Sequence, residues 1–272
     1  MMKRVFLTAC ILPLVGCSSL RLFPKKPKVT FSPEIADLKL QGRASMQSVS
    51  SGTVINNPRI SLGTSLNLSD RDNAYGGHLS YGDGFAGFGF RFIQFDETAV
   101  KTTGTVEDNF GALRPGDRVR SKFRWKNYAV DYLVNLYETK KWIPKTYLRF
   151  GAGVSIQHNE AAVEAVSQFT PHQQTISFQD DLGIPMLLLR AEGEYRPIKI
   201  RLNIALSHGD FGGFNGDFLD LRLSGQYKIQ KGISAYAGFW HYNFPGEGSK
   251  DGLGFDFSSS IEGFFGGIRF DI

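Results

Sequence analysis

Apolar and polar side chains alternate with a period of two along most of this chain, the pattern of β-strands with two unlike faces. From residue 59 onward, Ile60, Leu62, Thr64, Leu66 and Leu68 fall on one face, with Arg59, Ser61, Gly63, Ser65 and Asn67 on the other. Further alternating segments are predicted at about 74–82, 85–96, 121–137, 145–157, 186–196, 198–208, 218–229, 232–243 and 260–272, which makes about ten strands. Several carry apolar stripes of the height needed to cross hydrocarbon. Tyr128, Val130, Tyr132, Val134 and Leu136 form one, Leu148, Phe150, Ala152, Val154 and Ile156 the next, and Ile198, Ile200, Leu202, Ile204 and Leu206 another. Either face of Ile233–Tyr242 could point outward.

The connections alternate in length. Gly82-Asp83-Gly84, Glu138–Lys145, Arg196-Pro197 and Gln230-Lys231-Gly232 are short, whereas 97–120, 158–185, 209–217 and 244–259 are long and rich in Gly, Asn, Asp and Gln. Short turns at one end and long loops at the other predict an all-β, antiparallel up-and-down transmembrane β-barrel of about ten strands, within a range of roughly 8–12. An even strand number returns both termini to the periplasmic side. Within the second long loop, Asn159–Gln168 reads as a short helix through Ala161, Ala162, Val163 and Ala165. Tyr128, Tyr132, Tyr195, Tyr227 and Trp240 suit aromatic girdles.

The N-terminus changes the picture. Lys3 and Arg4 precede an apolar run from Val5 to Val15, too short for a membrane helix and laid out as an export signal over residues 1–16. Leu14-Val15-Gly16-Cys17 resembles the lipobox of bacterial lipoproteins, which implies acylation of Cys17 and, with Ser18 and Ser19 following, an outer-membrane destination. Ordinary signal cleavage is the alternative. Cys10 falls within the signal, so the mature chain has no second cysteine for a disulfide. Residues 17–58 hold Pro24, Pro27, Pro33 and Pro58, the basic cluster Lys25, Lys26 and Lys28, and a run of serines, and read as a periplasmic tether. Leu38–Met46 alternates weakly and offers an additional strand; residues 59–272 form the barrel domain. The ending Phe264–Ile272 resembles the last strand of outer-membrane barrels, although an aromatic residue usually closes that pattern and here Phe270 lies two positions before Ile272.

A lipid-tethered soluble sandwich or lipocalin-like barrel would use the same alternation with the apolar face turned inward. Loop lengths, the terminal strand and the glycines on polar faces, Gly151, Gly153 and Gly267, favour the membrane form. The net charge of +5 is modest and export removes most reason to expect nucleic acid. The expected partners are outer-membrane lipid or lipopolysaccharide, the barrel assembly machinery, and surface polysaccharide or envelope proteins.

With the stripes toward lipid, the opposite faces supply a lumen lined by Arg59, His78, Arg91, Asp131, Arg149, Arg190, Glu192, Glu194, Lys199, Arg201, Asp220, Arg222, Lys228, Arg269 and Asp271. Glu192 and Glu194 come opposite Lys199 and Arg201 across the Pro197 corner, where cross-strand charge pairs are favourable. The core of this expected charge network is Arg149, Arg190, Glu192, Glu194, Lys199, Arg201 and Arg222, sealing a narrow barrel rather than forming a charged channel. His78-Leu79-Ser80 places a base and a hydroxyl on one strand face and superficially resembles the His-x-Ser of the PagL type of lipid A deacylases. Its early strand and lumenal direction depart from that family, so no catalytic residue is assigned. His158, His172, His208 and His241 lack metal-ligand spacing, and neither metal nor cofactor is expected. The functional expectation is a lipid-tethered outer-membrane barrel with a structural or surface-interaction role. A small-solute or polysaccharide conduit and a lipid-modifying enzyme are the alternatives.

Overall fold

The computed structural model describes residues 27–50, 52–68, 71–98, 103–139, 146–168, 175–211, 214–244, 246–250 and 253–272. Ten long antiparallel strands close into a ring: β1 (Lys28–Met46), β2 (Arg71–Gly82), β3 (Gly87–Thr98), β4 (Arg118–Glu138), β5 (Thr146–Ser167), β6 (Thr175–Tyr195), β7 (Ile198–Phe211), β8 (Phe214–Gln230), β9 (Ile233–Asn243) and β10 (Leu253–Asp271). Each pairs with its neighbour in sequence, and β1 pairs with β10 over Thr30↔Asp271 to Met46↔Phe255, which closes the wall. Closure gives every strand two hydrogen-bonded neighbours, the condition for crossing hydrocarbon with strands.

Outward side chains form an apolar belt around one half of the ring. Phe31, Ile35, Leu79, Phe90, Val130, Val154, Ile156, Leu187, Ile200, Leu223 and Phe264 are all exposed. Tyr137, Tyr195 and Tyr227 are also exposed, close to the short-turn end. Beyond the belt, toward the long-loop end, the chemistry of the two faces exchanges. On β1, outward Phe31 and Ile35 give way to Asp37, Lys39, Gln41 and Arg43, while inward Ser32 and Glu34 give way to buried Ala36, Leu38, Leu40 and Ala44. On β4, outward Tyr128–Leu136 gives way to Lys126, Arg124, Lys122, Arg120 and Arg118, with Trp125, Phe123 and Val119 buried inside. One continuous strand thus serves lipid outside in one half and an apolar core inside in the other.

That upper core is completed by the connections β1–β2 and β3–β4 folding into the mouth at the long-loop end. Ile60, Leu62, Leu66 and Leu68 from the first, and Val106, Phe110 and Leu113 from the second, join Leu38, Leu40, Ile93, Phe95, Trp125, Trp240 and Tyr242 in one buried cluster.

Four sequence expectations are corrected. The wall begins at Lys28, so the tether reading of 17–58 does not extend past residue 27, and Leu38–Met46 belongs to a strand. The stretch 59–68 supplies only the two-residue strand Ile60–Ser61, followed by turns, because its apolar face caps the core instead of facing lipid. Asn159–Gln168 is not helical: Val163 and Ala165 point into the core as part of β5, with Glu164 outward. Much of what reads as long loop, including 118–120, 158–167 and 175–185, is strand extending above the belt. Cys17 lies outside the described residues.

The exchange of faces predicts a labelling pattern. In a cysteine-free background reconstituted in lipid nanodiscs, single cysteines at Lys39 and Arg43 should react with a water-soluble maleimide, and those at Phe31 and Ile35 should be protected. All four are outward positions, so equal reactivity would show that the belt does not end where the residue chemistry changes.

Candidate functional site

The interior at belt height holds the charged residues, held there by inward positions of consecutive strands. Glu192 on β6 is the lower node, with no exposed side-chain surface. Its register neighbours are Arg149 on β5 and Arg201 on β7, so three inward side chains meet at one level. Glu192 accepts hydrogen bonds from Arg149 and from Arg201, the latter through Nε at 2.9 Å, and Lys199 Nζ lies 3.5 Å away. Glu194, one inward step below, pairs with Lys199 at 3.3 Å and accepts from the Tyr147 hydroxyl. Charge-assisted bonds of this kind offset the desolvation of ions placed in a narrow lumen.

The turn between β2 and β3 enters this network from the short-turn end. Asp83 Oδ1 accepts from the backbone N–H of Phe85 and of Ala86, both at 2.8 Å, which folds the turn tightly. Gly82 is required at its start, since a Cβ there would lie 1.9 Å from the Ala86 carbonyl oxygen. Phe85 is thereby driven into the lumen, 1% exposed, with the Arg149 guanidinium 4.7 Å from its ring centroid. Arg190 donates to the Phe85 carbonyl and Arg201 to the Gly84 carbonyl, while Asp83 Oδ2 lies 3.7 Å from Arg149. Gly151 makes room for this insertion, because a Cβ there would lie 2.9 Å from the Phe85 ring.

Above it, two further carboxylates each hold an arginine. Arg222 reaches both oxygens of Glu34 at 2.6 and 2.7 Å. Arg91 pairs with Asp220, whose other donors are Gln157 at 2.8 Å and Trp240 Nε1 at 2.7 Å. Asn127 and Asn159 extend the chain of side-chain bonds to Trp125 and Tyr242, where the apolar core begins. The Arg222 guanidinium lies between the rings of Trp240 and Phe265, 4.9 and 4.3 Å from their centroids. A cavity of about 100 Å³ lies among these groups, bordered by His78, Asp131, Arg190, Ser224 and Arg269, among others.

All seven residues of the expected network are therefore placed inward, and six of them join in two ion-pair groups, around Glu192 and around Glu34. Arg190 bonds instead to neutral oxygens, Asn203 Oδ1 at 2.6 Å and the Phe85 carbonyl. Glu34 was hidden because its strand reads as linker, and Phe85 because a turn residue gives no signal of its direction. Arg59 is not lumenal: it sits beyond β1 and pairs with Asp256 at 2.5 Å. Trp240 is fully buried inside the ring and belongs to no girdle. The Ser80 hydroxyl is hydrogen-bonded to the Thr30 hydroxyl on the adjacent strand, whereas the ring of His78 is directed toward Gly89 and Asp131 on the other side. His208 Nδ1 lies 2.6 Å from Asp217 at the exposed tip of the β7–β8 hairpin. No group of three or more His, Cys, Asp or Glu side chains placed to hold a metal occurs among the described residues.

No protein-family model matches this sequence, and no curated protein matches it. Among solved structures, the outer membrane protease OmpT from Escherichia coli superposes with a TM-score of 0.59 at 10% identity, covering 94% of this chain and 99% of that one. A Pseudomonas aeruginosa FadL homologue matches at a TM-score of 0.35 and 11% identity over 91% of this chain and 90% of its own. Ail, the attachment invasion locus protein of Yersinia pestis, matches at 0.29 and 10% over 89% and 98%.

Glu192 carries the clearest energetic consequence. Glu192→Ala removes the carboxylate shared by Arg149, Lys199 and Arg201 and should lower unfolding stability by about 3–5 kcal/mol, measured by guanidinium titration in detergent. Glu194→Ala, whose partners are Lys199, the neutral Tyr147 hydroxyl and the exposed Arg196, should cost less. Equal effects would mean that Glu192 is not the node. The closed ring, its outward belt and the superposition together make this chain a ten-stranded β-barrel of the outer-membrane fold.

Proposed function

We propose that this protein is a sealed, non-catalytic outer-membrane barrel, tethered through a lipid on Cys17, whose long-loop end faces outward and serves as a surface for envelope or external partners. The observation that carries the reading is the filled interior. From the short-turn end upward, the lumen holds the inserted Phe85 turn, the Glu192 and Glu34 ion groups, the Asp220 node, and then the apolar core capped by the first two outer connections. A channel needs a continuous water column, and buried ion pairs stacked beneath an apolar core oppose one. The arrangement supports structure and recognition over transport.

The orientation follows from the same asymmetry. The short turns, such as Gly82–Ala86 and Lys231-Gly232, lie at the end where β1 starts and β10 finishes, which suits the periplasmic side. A lipid on Cys17 then reaches the inner leaflet of the outer membrane through a tether of about ten residues before β1, spanning up to roughly 33 Å when extended.

Two measurements test the reading. Wild-type protein in planar bilayers should give no steady conductance, whereas stable ion-selective currents would turn the reading into that of a conduit. Cys17→Ser should abolish incorporation of a fatty-acid analogue in cells; equal labelling of both proteins would remove the lipid tether while leaving the sealed barrel untouched.

A further inference from the structure

The outward face of β4 above the belt carries Arg118, Arg120, Lys122, Arg124 and Lys126 at every second position. No other strand shows this run. The aromatic edge of the belt lies directly beneath it: Tyr128 packs against Phe92 with ring centroids 5.1 Å apart and against His158 at 6.1 Å. One step higher, Gln94 stands opposite Lys126, so the polar zone begins at the same level on adjacent strands.

The flanking strands neutralise the array only in part, leaving five cations against three facing carboxylates. Asp96 stands opposite Arg124, Glu164 opposite Lys122 and Glu160 opposite Lys126. Of the five cations, Lys126 alone forms an ion pair among the described residues, with Glu160 at 3.4 Å. The three arginines are exposed. Like charges held in line on a rigid strand repel one another, a cost that a bound polyanion relieves.

The height of the array selects the partner. Eight residues of strand rise roughly 26 Å, or about 20 Å of height at the tilt of a membrane barrel. Headgroups extend only about 5–8 Å beyond the hydrocarbon. A phospholipid phosphate therefore meets Lys126 and Arg124 and leaves Lys122, Arg120 and Arg118 above it. A ligand that satisfies the whole row must begin in the membrane and carry anionic groups well out of it.

We propose that the β4 outer wall binds the phosphorylated, acidic oligosaccharide core of a membrane-anchored glycolipid, with its acyl chains against the Tyr128–Leu136 stripe and its core phosphates and carboxylates along Lys126 to Arg118. This rests on the outward orientation of the long-loop end, and it names a ligand for the surface role proposed above. The guanidinium groups supply paired donors for phosphate and carboxylate oxygens.

The test uses the full-length protein in phosphatidylcholine nanodiscs and three probes: lipopolysaccharide with an intact phosphorylated core, the same glycolipid stripped to lipid A, and phosphatidylglycerol. Wild type should bind the intact form at least ten-fold more tightly than either of the others, with the difference shrinking as salt rises. The combined variant Arg118→Gln, Arg120→Gln and Arg124→Gln should lose that difference, while Lys39→Gln with Arg43→Gln, on the outer wall of β1, should retain it. Arg120→Gln alone gives a smaller loss of the same kind, and retention of the compact unheated form on gels verifies that each variant folds. Equal binding of the three probes by wild type, or an unchanged preference in the combined variant, overturns the proposal. So does tighter binding of a soluble acidic polysaccharide than of the intact glycolipid, which would make the array a polymer site. Binding by purified protein is independent of conductance and of Cys17, so failure here leaves the sealed-barrel reading standing. Surface labelling of a cysteine at Arg120 in intact cells tests the orientation separately.

Discussion

In hydrocarbon no water is present to satisfy a backbone N–H or C=O, so a strand there is stable only with a paired neighbour on each side. The pairing of β1 with β10 meets that condition for the whole wall, and most other features of the molecule are consequences of it. A ring of ten strands is narrow, and its inner face must be filled by side chains. Half of every belt residue's neighbours point inward, where apolar groups would satisfy packing but alternation has already assigned the apolar positions to lipid. The inward positions are therefore polar, and polar groups in a narrow space need partners.

The partners are arranged by register. Adjacent strands place Arg149, Glu192 and Arg201 at one level, so a single carboxylate serves cations on both sides. The arginines outnumber what such a node can neutralise, and the surplus is met by backbone carbonyls of the inserted turn: Arg190 and Arg201 hold the Phe85 and Gly84 oxygens. The turn is thus more than a connection. It supplies acceptors, an aromatic face for Arg149 and Arg190, and a lid at the lower end. Losing it would take one acceptor each from Arg190 and Arg201 in a narrow lumen.

The lower half of this architecture was legible because alternation there keeps one phase over nine or more residues, as in Tyr128–Leu136 and Leu148–Ile156. The upper half was not, and the reason is physical. At the belt edge the apolar residues move from the outward to the inward set, so a strand that crosses the edge shows two alternations of opposite phase. On β1, Phe31 and Ile35 are outward and Ala36, Leu38 and Leu40 inward; summed over the strand, neither face is apolar, and Pro33 adds a loop-like signal. The strand therefore reads as linker and takes Glu34 with it. On β5 the run Ala161, Ala162, Val163 and Ala165 resembles a helix only because small residues fill the core on one face and sit beside Glu160 and Glu164 on the other. The opposite error occurred at 59–68, where clean alternation marks a segment that folds as turns, because Ile60, Leu62, Leu66 and Leu68 had a ready-made apolar mouth to enter.

The exchange of faces also decides where recognition can reside. Inside the belt, the charges grouped around Glu192, Glu34 and Asp220 are committed to neutralising one another, and a substitution there is paid in stability. Above the belt the interior is a dry core of Trp125, Trp240, Tyr242 and the two folded connections, equally committed. The outward wall of the upper half is different: its residues need only be soluble, so charge can vary there with little effect on the fold. A row of five cations against three facing carboxylates keeps a net positive charge that closure, filling and solubility do not require. That surplus over structural need lies on a surface that the fold leaves free to carry it, and not among the supports of the fold.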